Sequence, residues 1–173
     1  MSVLITGGAG YVGGTVVDHM IEQGESVVVV DNLSRSPDSG LCGDIPFYRI
    51  DVGDRAAIAG IVEDHGIDAC MHFAGLIAVG ETVEQPDLYF EQNVSQTIAL
   101  LDLLAFDGVS NVVFSSSTAV YGEPGQIPIL KDHPHRPTGP YGSTQRSRSE
   151  IRSPCSAPTT THPMAPLFAT TST

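Results

Sequence analysis

Basic side chains are scarce in this sequence: eight lysines and arginines stand against twenty aspartates and glutamates, a formal net charge of −12 over 173 residues. A chain so acidic is repelled by phosphate polymers and anionic lipid, so nucleic acid and the membrane surface are excluded as main partners. Cysteine is equally thin. Cys42, Cys70 and Cys155 show no metal-type spacing, and an odd count of three argues against a disulfide framework. No metal site is expected, and Cys70 reads as a packed strand residue. No apolar run approaches membrane-spanning length, and the first hydrophobic stretch follows Met1 too closely for a signal peptide, so the expectation is a cytoplasmic protein. The length suits one domain with a single core.

The stretch that organises the rest is Thr6-Gly7-Gly8-Ala9-Gly10-Tyr11-Val12-Gly13. It joins the apolar run Val3-Leu4-Ile5 to a helical pattern from Val12 to Gln23, with Gly24 as its stop. Glycines at 7, 10 and 13 permit a tight turn, let backbone N–H groups approach a pyrophosphate and keep the helix close to the sheet. A second strand, Ser26 to Val30, ends in Asp31. A carboxylate there accepts hydrogen bonds from both hydroxyls of an adenosine ribose and repels a 2′-phosphate, which favours NAD over NADP.

Further along, strand and helix patterns alternate. Asn32 to Gly43 reads as a loop, Phe47 to Ile50 as a third strand, and Asp54 as the cap of a helix running to about Asp64, ended by Gly66. Ala69 to Phe73 is a fourth strand, Asp87 to Ala105 a long helix, and Val112 to Ser115 a fifth strand. Such alternation predicts an α/β fold with a doubly wound parallel sheet, Rossmann-like, with ligands beyond the carboxyl ends of the strands.

Thr6-Gly-Gly-Ala-Gly-Tyr-Val-Gly13, Asp31-Asn-Leu-Ser34, Phe73-Ala-Gly-Leu-Ile-Ala-Val-Gly-Glu81, Phe114-Ser-Ser-Ser117, Val120-Tyr-Gly-Glu-Pro124 and Pro140-Tyr-Gly142 together resemble the UDP-glucose 4-epimerases of the extended short-chain dehydrogenase/reductase family. The resemblance covers residues 1 to about 144. It implies NAD as cofactor, a UDP-sugar as substrate and a homodimer. In that family a tyrosine removes the proton of the sugar 4-hydroxyl while NAD takes the C4 hydride, and the keto sugar turns over before the hydride returns. By matching, Tyr141 is the tyrosine and Ser117 the serine that hydrogen-bonds the same oxygen. Gly7, Gly10, Tyr11, Val12 and Gly13 fall in the phosphate-binding element, Asp31 and Asn32 at the ribose, and Asp51 and Val52 at the adenine edge. Phe73, Ala74 and Gly75 fall at the cofactor's middle; Asn93, on the long helix near the active site, Ser115 and Tyr141 complete the implied cofactor-binding set. Sugar-nucleotide dehydratases, which are relatives, carry Thr-Asp-Glu where this chain has Ser117-Thr118-Ala119.

The departures matter as much. The family pattern Tyr-x-x-x-Lys puts an ammonium one helical turn from the phenol; here that place holds Gln145, a neutral amide. Ile77 stands where the family commonly has a basic residue. From Gln145 onward the motif resemblance stops and Thr, Ser, Pro and Ala dominate, so residues 145–173 are expected to be a divergent, mostly disordered tail beyond a short helix after Pro140. The family's next strand and its substrate domain are expected to be absent, leaving the sheet incomplete on that side. A one-base deletion after the Tyr141 codon region accounts together for the lost lysine, the lost periodicity and the early end, though not for Ile77. Codons exist for Leu167 to Thr173 whose shifted frame reads Leu-Arg-Tyr-Tyr-Ile-Asp, close to the Leu-Arg-Tyr-Phe-Asn of the family's next strand, and for Gln145-Arg146 whose shifted frame reads Lys. The expected function is an NAD-binding epimerase fragment, inactive as it stands. Two alternatives are a non-catalytic NAD-binding or interaction module, and an active epimerase or dehydratase completed by another chain.

Overall fold

The computed structural model describes residues 1–36 and 44–151. Cys42, Cys155 and most of the expected tail lie outside the described residues. Two five-residue strands, β1 (Ser2–Thr6) and β2 (Ser26–Val30), run parallel at the centre, with Val3 opposite Val27 and Ile5 opposite Val29. Their side chains alternate between two apolar layers. Val3, Ile5, Val27 and Val29 meet helix α1 (Tyr11–Glu22) through Val17, while Leu4, Val28 and Val30 face the opposite layer. That second layer is built by α2 (Arg55–His65) through Ile58, Ile61 and Val62, and by α5 (Gln96–Phe106) through Leu100, Leu103 and Leu104. Continuous β-branched runs are what a strand covered on both faces requires.

The sheet is completed by β3 (Phe47–Tyr48), β4 (Ala69–His72) and β5 (Asn111–Phe114), all parallel, in the order β3-β2-β1-β4-β5. The chain winds outward from β1 to β3, then returns to the other side of β1 with β4. The crevice where the order reverses, between the ends of β1 and β4, is where open α/β sheets bind ligands. The doubly wound parallel architecture is therefore the one the alternating pattern predicts, and Cys70 is buried in β4.

Three details differ from the sequence reading. β3 ends at Tyr48 because Ile50 N turns back onto Tyr48 O at 3.1 Å, taking the chain out of the ladder before Ile50. The long helix is not uniform. A separate helix α3 (Val79–Glu84) precedes it, and Gln85, at φ −132° and ψ 60°, breaks the two apart because the residue before a proline is pushed out of helical conformation. Pro86 then opens α4 (Pro86–Phe90), which passes through a π-turn at Glu91–Ser95 into α5. The helix after Pro140 is also longer than expected: α6 spans Pro140–Glu150 and crosses residue 144 without a break.

Candidate functional site

A cleft opens at the carboxyl ends of β1, β2 and β4. Its floor is the glycine turn, lined by Gly7 and Gly10. Gly7 N donates to Val30 O at 2.8 Å and Gly10 N to Gly7 O at 3.2 Å, so the turn is tied both to itself and to β2. Two positions admit no side chain. Gly7 lies at φ +72°, and a Cβ there would sit 2.7 Å from Ala74 Cα, so the turn and the segment after β4 touch backbone to backbone. A Cβ on Gly13 would enter the Gly7 carbonyl, 2.9 Å from both the Gly7 carbonyl carbon and Gly8 Cα. The N-terminus of α1 carries no side-chain cap and no acidic residue in its first turn, which leaves its amides facing the cleft for an anion.

The second wall is the end of β2. Asp31 accepts from Ala9 N at 3.1 Å with one carboxylate oxygen and from Leu33 N at 2.8 Å with the other. The glycine turn and the carboxylate are thereby one unit. Asn32 Nδ2 donates to Asp51 Oδ2 at 2.9 Å, and Gly53 N donates to Asp51 Oδ1 at 2.9 Å, joining the ends of β2 and β3. Asp31, Asn32, Asp51 and Val52 all line the cleft. So do Phe73, Ala74 and Gly75 from the segment after β4.

Other expected residues stand elsewhere. Asn93 is fully buried behind this wall, its Oδ1 accepting from Leu76 N at 2.8 Å and its Nδ2 donating to Leu76 O at 3.0 Å. The π-turn aims that amide at the Leu76 peptide group, which it satisfies in both directions. Tyr11 and Val12 are exposed on α1. Ser115 donates its N–H to His72 O at 3.1 Å. Ser117 Oγ accepts from Ala119 N at 3.2 Å and caps the 3-10 turn Thr118–Tyr121. Tyr141 is the second residue of α6, whose Gly142 lies so close to the Ala119 carbonyl that a Cβ would not fit. Ser115 and Ser117 follow β5 and Tyr141 lies on α6, and none of the three is in the lining of the cleft.

Sequence reasoning missed a buried polar chain at this end. Arg148 of α6 sends Nη2 to His72 at 2.8 Å and to Ala74 O at 2.6 Å, donates from Nε to Thr97 Oγ1 at 3.1 Å, and stacks on the Phe114 ring 4.5 Å from its centroid. Every acceptor is neutral, and burial brings the guanidinium down to about 10. His72 Nδ1 lies 2.6 Å from Thr6 Oγ1. Burial, and then the Arg148 charge, push His72 down to about 3, so it accepts as the neutral imidazole. Burial alone pushes the Cys70 thiol up to about 12, which leaves it inert. Gln145, in the lysine's place, is 2% exposed and its Oε1 meets no donor among the described residues. Leu76, Gln92, Gln96 and Arg35 also line the cleft. Of these only Gln92 and Gln96 carried a signal, two amides four apart in an apolar helical pattern.

The model of the NAD dependent epimerase/dehydratase family matches residues 3–155. The chain belongs to this family. The match runs past residue 144, where the motif resemblance stops. A UDP-glucose 4-epimerase of Halalkalibacterium halodurans is 46% identical over 145 residues, covering 84% of this chain and 43% of that protein. Among solved structures, the UDP-glucose 4-epimerase of Brucella ovis in complex with NAD aligns with a TM-score of 0.82 at 37% identity, over 86% of this chain and 45% of that one. The Thermotoga maritima UDP-glucose 4-epimerase with UDP-glucose aligns with a TM-score of 0.80 at 33% identity, over 86% and 48%. The chain spans under half the length of these epimerases. Among the described residues no helix is long and apolar enough to cross a membrane, and no cluster of three or more His, Cys, Asp or Glu side chains is placed to hold a metal ion.

Proposed function

We propose that this chain binds NAD in the cleft as the dinucleotide-binding part of a UDP-glucose 4-epimerase. The observation that carries the reading is the Ala9 N–Asp31 hydrogen bond, which sets a ribose-binding carboxylate beside an uncapped helix N-terminus and a turn with no room for a Cβ. The residues fit the group. Amides at the start of α1 receive the pyrophosphate, Asp31 accepts from the ribose hydroxyls, and Phe73, Ala74 and Gly75 flank the middle of the dinucleotide. Bound NAD supplies a reversible hydride acceptor. By resemblance Tyr141 holds or takes the proton of the sugar hydroxyl and Ser117 hydrogen-bonds the same oxygen. By resemblance the substrate is a UDP-sugar and the assembly a homodimer, while this chain spans under half the length of its relatives.

Calorimetric titration tests the cofactor. NAD should bind at least about tenfold more tightly than NADP, a difference of about 1.4 kcal/mol, and Asp31→Asn should narrow that gap. Equal or tighter binding of NADP overturns the role given to Asp31.

Catalysis is a separate matter. The family's ammonium is replaced by the Gln145 amide, which carries no charge with which to favour a phenolate. The purified 173-residue chain should show no detectable interconversion of UDP-glucose and UDP-galactose. Turnover by a preparation free of host epimerase would instead favour completion by a second chain. The burial of Gln145 without a partner for Oε1, and of Arg148 without a carboxylate, supports the reading of α6 from Gln145 onward as out-of-frame sequence laid on a site built for other residues. Reading the coding DNA in three frames past the Tyr141 codon tests this directly.

A further inference from the structure

The cleft and its proposed ligand are both negative. Asp31 and Asp51 line the walls, and a dinucleotide brings a doubly charged pyrophosphate. Ile77, where the resemblance leads one to expect a base, is exposed and neutral. Among the described residues, Arg35 is the only cationic side chain in the lining.

Its placement is specific. Arg35 stands on the loop after β2, four residues past Asp31, and its Nη2 reaches Glu81 Oε2 at 2.6 Å. Glu81 belongs to α3, beyond the Phe73–Leu76 wall. The ion pair therefore ties the loop after β2, on the ribose side of the cleft, to α3. The two partners are held unequally. Glu81 Oε2 also receives the Tyr89 hydroxyl at 2.7 Å, and the Tyr89 ring is buried beneath it. Arg35 is half exposed and has Glu81 as its hydrogen-bond partner among the described residues. An exposed ion pair on flexible side chains holds weakly, whereas a guanidinium against phosphate oxygens makes two parallel charge-assisted hydrogen bonds.

We propose that Arg35 is the cationic partner of the pyrophosphate in this chain, and that it exchanges Glu81 for the phosphates as the dinucleotide enters. Glu81, kept in place by Tyr89, is then a built-in competitor that sets the affinity. The proposal rests on the NAD-binding reading and adds to it a residue outside the glycine turn.

Calorimetry on the full chain and two variants tests it, with NAD, ADP and adenosine as probes. Arg35→Gln should weaken NAD and ADP about tenfold and leave adenosine, which has no phosphate, unchanged. Glu81→Gln removes the competitor and should tighten NAD and ADP several-fold. Both shifts should shrink as salt is raised. Unchanged NAD and ADP affinity in Arg35→Gln, or an equal loss for adenosine, overturns the proposal while the NAD reading stands. Weaker binding in Glu81→Gln also overturns it, since the pair would then be holding the cleft together. Failure of the unmodified chain to bind either NAD or ADP overturns both readings.

Discussion

Gly13→Ala should destabilise the chain by about 1 kcal/mol net and remove dinucleotide binding even in the molecules that remain folded. The new Cβ would enter the Gly7 carbonyl and approach Gly8 Cα, and both are backbone of the phosphate-binding turn rather than the movable end of a side chain. Either α1 lifts or the turn deforms, at an overpacking cost of about 1–3 kcal/mol. The roughly 1 kcal/mol that alanine gains over glycine within a helix offsets part of this. The neighbouring residue supplies the control. At Gly14 the nearest atom to a built Cβ is Gly8 O at 3.4 Å, an ordinary contact, so Gly14→Ala should be neutral or stabilising by up to about 1 kcal/mol. Urea unfolding of both variants, followed by NAD titration, reads the two effects. A Gly13→Ala chain as stable as the parent, with binding intact, would show that α1 does not press on the turn as the geometry requires.

Acidification should unfold the chain through His72. In the folded state burial, and then the Arg148 charge, hold this imidazole at about 3, against about 6.5 when unfolded. The sign follows from that direction. Above about 6.5 neither state is protonated there and the full stability is present; as pH falls the unfolded chain takes up a proton the folded chain refuses. Each unit between about 6.5 and about 3 then shifts the folding equilibrium up to roughly tenfold toward the unfolded state, and the whole window is worth about 5 kcal/mol. For a domain whose total stability is typically 5–15 kcal/mol, that loss decides whether it survives. His72→Gln retains an acceptor within reach of Arg148 and does not titrate. Its urea midpoint should stay nearly flat from pH 7 to pH 4.5 while that of the parent falls steeply. Parallel pH profiles for the two would assign the acid sensitivity to some other group.

The parts of the site legible in the sequence are those where chemistry and local geometry coincide. Gly7 and Gly13 announce themselves because nothing but glycine fits, and Asp31 because it ends an apolar run where a polar residue has no reason to be unless it faces a ligand. The continuous β-branched run Val27 to Val30 marks a strand covered on both faces, and in the fold its residues alternate between the two apolar layers. What stayed hidden depends on partners far away in the chain. Asn93 looks like a helical polar residue, and only the π-turn shows that its amide closes onto the Leu76 peptide group. Arg148 is more opaque still. A run of Ser, Arg and Glu reads as solvated surface, and no local rule says that one of its guanidiniums will be drawn under Gly75 to meet His72 and Thr97.

That helix has a further bearing on how the cleft is used. The residues by which α6 is buried are Gly142, Thr144, Gln145 and Arg148, none of them an aliphatic anchor, so its attachment rests mainly on one guanidinium among neutral acceptors. Segments held by few apolar contacts open at a small fraction of the global unfolding cost. Tyr141 rides on α6, whereas Asp31 and the glycine turn stand on the central strands. The adenosine end of the cleft and Tyr141 should therefore be present for different shares of the time. A ligand that needs only the adenosine end meets a standing site. A ligand that must also touch Tyr141 has its dissociation constant multiplied by the reciprocal of the docked fraction, about twofold if α6 is seated half the time and about a hundredfold if it is seated one part in a hundred. The nicotinamide half of a dinucleotide would then add reach but little hold, and the chain would tell adenine nucleotides apart by their phosphates and ribose far better than by what lies beyond them.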